Sequence, residues 1–598
     1  MKSKDPLFER IKLTYQRIKN TFCQTFKAWF LVGMCLTLLW GCLAGVPQAD
    51  SFDSAYKILQ NNIIPKINVQ NNIIPDEVAL RYAIDNTAEP LPPINKYPIY
   101  GAQPTQDTNI VYLEIFGSPE KANATKEDER WFVDVIEKFN QQKNKTSSGK
   151  IIQVGVRNIP SGIGQQMIAA KVVKPAGYTP SHDLWIQMLK SAGIEPININ
   201  KALLPSNAGI VLNEQVKQEI FGNKEVTFDD VLDAILARKI TIGYTNPYAS
   251  STGLNLLYTI FWRAAGHDKD GKPLTIADLQ SPQVNSIFTG FQKQVLLTAL
   301  TTTDLKEIFL RDPKKLPAFS IDYLSYATLK QLPEFAKTSY IPFGVPHNSP
   351  LVGFSWNTPD QQEGLKKLAQ FATSEQMQKL APQKGKEVTE YLQKNEFPPL
   401  PSGNVLTRGQ AFWKQQKDSG KTVYLMAVID TSGSMDGEPL NAVKEGLNIA
   451  SKEINTGNYI GLITYGDTPN ELVPLVPFDE LQHKRLLAGI DSLRADGATA
   501  MYDGVMVALS KLMEQKKANP DGRFYLLLLT DGAVNQGFTF KDISSIIEYS
   551  GVRVYPIAYG EVNEQELQSI AALRESTVKK GNPENVKDLL KELFQTNL

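Results

Sequence analysis

The sequence predicts an α/β protein built from more than one domain, and three observations carry this. A chain of 598 residues is longer than one hydrophobic core organises. Residues 109–396 and again 421–598 alternate short apolar runs with amphipathic helical patterns, the mark of strands joined by helices. Proline-rich breaks separate these stretches from each other and from the N-terminus. Lys+Arg and Asp+Glu both number 63, so the formal charge is zero and the basic excess of a nucleic-acid-binding domain is absent.

Residues 1–50 read as a basic flank followed by a membrane or export segment. Lys2, Lys4, Arg10, Lys12, Arg17, Lys19 and Lys27 precede Ala28 to Val46, a run without charge. As a helix that run would reach about 28 Å, close to the hydrocarbon thickness of a bilayer. Basic-then-apolar order keeps the flank cytoplasmic and sends the rest outward. The residues allow a retained transmembrane anchor, a cleaved signal (small residues at Ala44, Gly45 and Ala49) or, because LWGC resembles a lipobox, a lipoprotein modified on Cys42. Each reading places the bulk of the chain on the outer side of a bacterial cytoplasmic membrane, in the periplasm or at the cell surface.

Residues 51–108, with QNNIIP at 60–65 and 70–75 and EPLPPINKYP at 89–98, read as an extended Pro/Asn-rich spacer. In 109–396, NIVYLEIFGS is a strand, DERWFVDVIEKFNQQ a helix, KIIQVGVRNIPSG a strand entering a turn, IGQQMIAAKVV a helix, and HDLWIQML, SNAGIVLN and KITIGYTNP are further apolar runs. Residues 397–420, opened by FPPLPSGN, read as a linker with a short helix, TRGQAFWKQQK. From 421 the order is clearer. Strand VYLMAVID is followed by helix EPLNAVKEGLNIASKEI, strands YIGLITYGD and ELVPLVPFD, and helix LQHKRLLAGIDSL. Loop RADGATAMYDG, helix GVMVALSKLMEQ, strand RFYLLLLTDG, a helix, strand VRVYPIAYG and two helices complete it. Near-continuous apolar strands suit a parallel sheet covered on both faces, with ligands bound beyond the strands' carboxyl ends.

Three segments deliver oxygen to that edge: Asp430, Ser432 and Ser434 after the first strand, Thr499 in the loop before GVMVALS, and Asp531 after LLLLT. Carboxylates and hydroxyls suit a hard six-coordinate cation, Mg²⁺ or Mn²⁺, whose charge offsets two acids at one strand edge. Asp436, Asp467 and Asp503 read as caps or turn residues. The three cysteines, Cys23, Cys35 and Cys42, all lie near the N-terminus, and His182, His267, His347 and His483 are too scattered for a histidine–zinc motif.

The set resembles the metal-ion-dependent adhesion site of von Willebrand factor type A domains. DTSGS at 430–434 fits DxSxS, GATAMYDG at 497–504 supplies the threonine and TDG at 530–532 the second acid. The resemblance covers 421–598 and implies a doubly wound, Rossmann-like domain. In it Ser432, Ser434 and Thr499 touch the metal, Asp430 and Asp531 often act through water, and the ion captures an acidic group of a protein partner.

In the middle region, SGIGQQMIAAKVV from Ser161 and ASSTGLNLLYTIFWRAAG from Ala249 put Ser/Gly turns directly before helices, whose N-termini attract anions. Read on residues alone, the same serines and threonines are ordinary N-caps. The region resembles the two-lobed type 2 periplasmic solute-binding fold, in its oxyanion-binding branch. The likeness rests on SGIGQQM and NPYASSTG, a DLW strand at 183–185, and the ending YIPFGVPHNSPLVGFSW with FATSEQMQ. It implies a second lobe near 206–325 and a cleft lined by Ser161, Gly162, Gly164, Ser250, Ser251 and Thr252 that holds a small anion. Trp185, Trp262 and Tyr258 read as core, and DKDGKPL at 268–274 as a surface turn.

The expectation is therefore a membrane-tethered binding protein outside the cytoplasm, not an enzyme, since no nucleophile–His–acid set is visible. The alternatives are a solute receptor for transport or sensing, a scaffold whose cleft has lost its ligand, and, last, a metal-dependent hydrolase.

Overall fold

The structure is a computed structural model. It describes residues 46–85, 91–382, 385–394, 396–532, 534–560, 562 and 564–597. Cys42 and all but the last residue of the apolar run ending at Val46 lie outside the described residues. Among the described residues no helix is long and apolar enough to cross a membrane.

The described chain is mixed α/β around three sheets. The first has six strands: β1 (Ile99–Gly101), β2 (Ile110–Gly117), β3 (Ile151–Asn158), β4 (Gly177–Thr179), β5 (Pro196–Asn200) and β11 (Leu351–Phe354), ordered β1-β3-β2-β4-β11-β5. The second has five: β6 (Asn207–Asn213), β7 (Ile242–Thr245), β8 (Val295–Ala299), β9 (Ala318–Asp322) and β10 (Thr338–Pro346), ordered β10-β6-β9-β7-β8. The chain crosses between them twice, at 201–206 and 347–350. The crossings pair with each other: Leu203 N–H donates to Ser349 O, and Ser206 and His347 exchange backbone bonds at 3.1 and 2.8 Å. Together they form the two-lobed, periplasmic-binding-protein-like domain, and the second lobe runs to β10, beyond the expected 325.

The third sheet holds β12 (Val423–Asp430), β13 (Tyr459–Tyr465), β14 (Pro469–Pro477), β15 (Arg523–Thr530), β16 (Arg553–Tyr559) and β17 (Lys579–Gly581), ordered β14-β13-β12-β15-β16-β17. All pairs are parallel except β13–β14. Successive side chains of a strand point to opposite faces. Tyr424, Met426 and Val428 accordingly enter one core and Val423, Leu425, Ala427 and Ile429 another. That is why β12 reads as an unbroken apolar run.

Three sequence readings need correction. Residues 46–79 do not stand off as a spacer. Ala55, Leu59, Ile63 and Ile67 bury an apolar stripe in the core of the C-terminal domain, Gln70 bridges Asn470, and Arg485 pairs with Asp76. β1 then joins the first lobe, so the segment is a strap bound to both domains. The helix expected within the 397–420 linker spans Gly403–Gln416 and belongs to the solute-binding-like core. Trp413 is fully buried there and donates its indole N–H to Tyr244 at 2.7 Å. The DLW segment is the first turn of helix Leu184–Ser191, not a strand: Leu184, Trp185, Met188 and Leu189 fall on one buried helical face. Trp185, Tyr258 and Trp262 are core, as expected.

Candidate functional site

The carboxyl edge of the third sheet gathers the predicted oxygens. β12 ends on Asp430, which is fully buried. Its Oδ1 accepts from Ser432 N–H at 2.9 Å and Ser432 Oγ at 2.6 Å. Ser432 Oγ lies 3.1 Å from Ser434 Oγ, which donates to Asp531 Oδ1 at 2.8 Å. Each serine gives its one proton to an acid, Ser432 to Asp430 and Ser434 to Asp531, and the two pairs meet at the Ser432–Ser434 contact across the β12–β15 boundary. Thr499 enters from the third segment. Its N–H donates to Asn535 Oδ1 at 2.8 Å, and a Cβ on Gly532 would stand 3.9 Å from its hydroxyl. Asp430, Ser432 and Thr499 are buried, Asp531 is half-buried and Ser434 is exposed, so the cluster opens to solvent on the Ser434–Asp531 side.

Residues that sequence reasoning did not select brace this edge. Thr530 Oγ1 donates to Asp430 Oδ2 at 3.0 Å, and Tyr465 O–H reaches the same oxygen at 3.2 Å and Leu529 O at 3.0 Å. Thr530 was one position from a selected residue, and Tyr465 ends the neighbouring strand, so both carried a signal of position. The turn-formers do as expected: Asp467 Oδ1 accepts from Ala498 N–H at 2.7 Å and Asp503 Oδ1 from Phe538 N–H at 2.8 Å. Gly497 sits between them at φ +81°, where a side chain would be strained and its Cβ would press on the Asp467 carboxylate at 2.8 Å.

The donor set suits a hard divalent cation. Burial, and less strongly the charge of Asp430, raise the Asp531 carboxyl above the usual range against the Ser434 hydrogen bond. Two acids thus share an edge whose nearest polar neighbours are hydroxyls. Among the described residues no group of three or more His, Cys, Asp and Glu side chains converges as a metal cluster. Hydroxyls and carboxylates are the kinds of donor that a hard divalent cation takes.

The two turns of the solute-binding-like domain also meet. Gly162 N–H approaches Ala249 O at 3.4 Å, and a Cβ on Gly162 would lie 2.2 Å from Tyr248 O, so only glycine permits this contact. Ser251 accepts from the Trp185 indole at 3.0 Å through Oγ and contacts His182 Nε2 at 2.9 Å through its carbonyl. Ser250 caps its helix at Gly253 N–H, 3.3 Å away, and Thr252 is buried. Gly164 does not face the other lobe, because a Cβ there would meet Tyr178, Ile159 and Phe116 of its own lobe. Between the lobes lie residues the sequence did not single out for this role. His347 Nδ1 pairs with Asp322 at 2.6 Å, and Glu120 Oε1 accepts from Ser181 at 2.7 Å. Lys121, fully buried, reaches Ser118 and Glu120. Among the described residues Ser161 Oγ and His182 Nδ1 are buried without a hydrogen-bond partner.

Fold and edge together define the C-terminal unit: residues 425–592 match the von Willebrand factor type A domain model, and this part of the chain is such a domain. An uncharacterized protein, sll0103, of Synechocystis is 26% identical over 176 residues, covering 29% of this chain and 40% of that protein. The chain thus spans well under half the length of that curated relative. Among solved structures, a von Willebrand factor type A protein from Catenulispora acidiphila aligns at 22% identity and TM-score 0.27, covering 29% of this chain and 42% of that one. The periplasmic binding protein AfuA from Actinobacillus pleuropneumoniae, with fructose-6-phosphate bound, aligns at 12% identity and TM-score 0.37, covering 51% of this chain and 98% of that one. Domains of the von Willebrand type typically use a divalent metal at the equivalent edge.

Proposed function

We propose that the chain is an extracytoplasmic binding protein that captures an acidic group of a protein partner through a divalent ion at the Asp430–Asp531 edge. The observation that carries this is the convergence of Asp430, Ser432, Ser434, Thr499 and Asp531 from three separate segments, with the exposed side of the cluster at Ser434 and Asp531. Ser432, Ser434 and Thr499 would hold Mg²⁺ or Mn²⁺ with the two acids in support. When bound, the ion supplies a Lewis-acidic position that a partner's carboxylate can fill. The chain's own part is to fix the hydroxyls: Asp430 orients Ser432, and Asp531 orients Ser434. The N-terminal basic and apolar segment supports tethering at the membrane, and the edge is read as a binding site, not as a centre of turnover.

The test is capture of partners from the host's envelope fraction by the purified chain, with and without EDTA. Capture is expected in Mg²⁺ or Mn²⁺ and lost on chelation or in Ser432→Ala. That substitution removes one buried hydrogen bond to a carboxylate at a cost of about 1.5–3 kcal/mol, below the about 5–15 kcal/mol that ordinarily holds a domain folded. Undiminished capture by Ser432→Ala in EDTA rejects metal bridging.

A second reading, a small anion held between the lobes, is favoured by the buried Ser161 hydroxyl and His182 Nδ1, which have no hydrogen-bond partner among the described residues. Native mass spectrometry of the protein taken from its host should then show an anionic adduct that Ser161→Ala loses. A bare mass for the wild-type protein would leave the solute-binding-like domain a scaffold.

A further inference from the structure

At the opposite end of the third sheet from the metal edge, the von Willebrand-type domain faces the second lobe across a cavity of about 250 Å³. Its wall includes Lys293, Lys421, Arg523, Arg553 and Arg574 and one carboxylate, Glu575. That acid is already shared. Lys315 pairs with it directly, while Arg574 and Arg553 stand 3.8 and 3.9 Å away. The guanidinium groups are held in place by backbone carbonyls. Arg523 Nη2 donates to Gln292 O at 3.2 Å, Arg553 Nη2 to Leu296 O at 3.0 Å, and Arg574 Nη1 to Glu548 O at 3.1 Å. Arg553 Nε and Arg574 Nε, in contrast, are buried with no acceptor among the described residues.

Burying a charged donor without an acceptor is costly, and gathering cations around one acid adds repulsion. Burial, then the Arg553 charge, lowers Arg574, and burial followed by the Arg574 charge lowers Lys315. Pre-oriented arginines and lysines that outnumber the one acid, itself already paired with Lys315, suit a tetrahedral oxyanion.

We infer that this interdomain cavity binds a multivalent phosphate-type anion, free or carried on a small molecule, which bridges Lys293 of the second lobe to Arg553 and Arg574 of the von Willebrand-type domain. The site is independent of the metal edge and of the interlobe reading, and a bound anion would lock the two domains together.

The experiment is isothermal titration of the full chain with pyrophosphate, inorganic phosphate and sulfate in EDTA at matched ionic strength. Saturable binding is expected, tightest for pyrophosphate. Loss of one charge-assisted contact in Arg574→Gln should weaken it about tenfold or more. Lys293→Gln, an exposed position on the other domain, should also weaken it without disturbing the fold, and Ser161→Ala should leave it unchanged. Phosphate binding lost in Ser161→Ala but kept in Lys293→Gln would move the anion to the interlobe site and overturn the inference. So would wild-type protein that shows no saturable heat with any of the three anions.

Discussion

His182 shows how much one buried side chain can set. Its ring stacks on Trp185 at 6.1 Å between centroids and meets His347 edge-on at 4.9 Å, and its Nε2 faces Ser251 O of the opposite lobe. Burial, and next the charge of His347, push its pKa down to about 3 from 6.5. The folded chain therefore refuses a proton that the unfolded chain accepts. The stability tied to this group is fully present above 6.5 and is lost as pH falls toward 3. The lobe interface should weaken on acidification, read as a lower urea midpoint by tryptophan fluorescence on the acid side of 6.5. His182→Gln, which can still donate to Ser251 O, should flatten that slope, and an unchanged slope would locate the acid sensitivity elsewhere. None of this was legible in sequence, because a lone histidine ahead of an apolar run carries no mark of the residues that will enclose it. Asp430, Ser432, Ser434, Thr499 and Asp531 were legible for the opposite reason. All but Thr499 lie at or just past strand ends, and strand ends are placed by the apolar runs before them, while Thr499 stands just ahead of a long apolar helix.

At the scale of elements, the same contrast separates β12 from the strap. β12 and β15 are central parallel strands whose two faces both need apolar cover, so their runs are long and unmistakable. β17 is a short edge strand, Lys579–Gly581, with two lysines, and nothing in KKG marks it. The strap hid its signal behind Asn and Pro. The spacing Ala55, Leu59, Ile63 is a helical stripe, but it is interrupted by polar QNN and followed by proline, which reads as a connector. All three side chains are fully buried. Leu59 packs into the core beneath helix Met501–Ala518, which leads from the Thr499 loop. Leu59→Ala should therefore cost about 2–5 kcal/mol, the range for a leucine truncated in a closed core. Urea unfolding would read the loss, and if Leu59 were only a surface contact of a tether the midpoint would not move. The strap's burial also means that residues 421–598 alone would expose the stripe's groove, so the C-terminal domain depends on chain that precedes the solute-binding-like domain.

At the scale of the molecule, the two domains touch through side chains that neither would need alone. Arg311 of the second lobe donates to Ala571 O and Ser576 O at 3.2 and 2.9 Å, and Asn246 reaches Gln595 at 3.0 Å. Asp304 is the most telling of these. Its Oδ2 accepts from Thr301 N–H to cap helix Thr302–Arg311, while its Oδ1 accepts from Thr577 and pairs with Lys579 of β17. Both members of the pair are mostly buried, so breaking it from one side strands a charge. Asp304→Asn keeps an acceptor for the cap but leaves Lys579 uncompensated, and should cost about 3–5 kcal/mol. Lys579→Met removes the cation but leaves Asp304 its cap and the Thr577 hydroxyl, and should cost less. In the double variant neither charge remains, so its cost should fall well below the sum of the two. A double-mutant cycle by urea unfolding reads that coupling directly. Additive costs would mean that Asp304 serves only its own helix and that the domains are joined without this pair. A coupling of the expected size would mean that the lobe bordering the cation-lined cavity and the domain carrying the Asp430–Asp531 edge unfold as one unit, which is the condition for either site to influence the other.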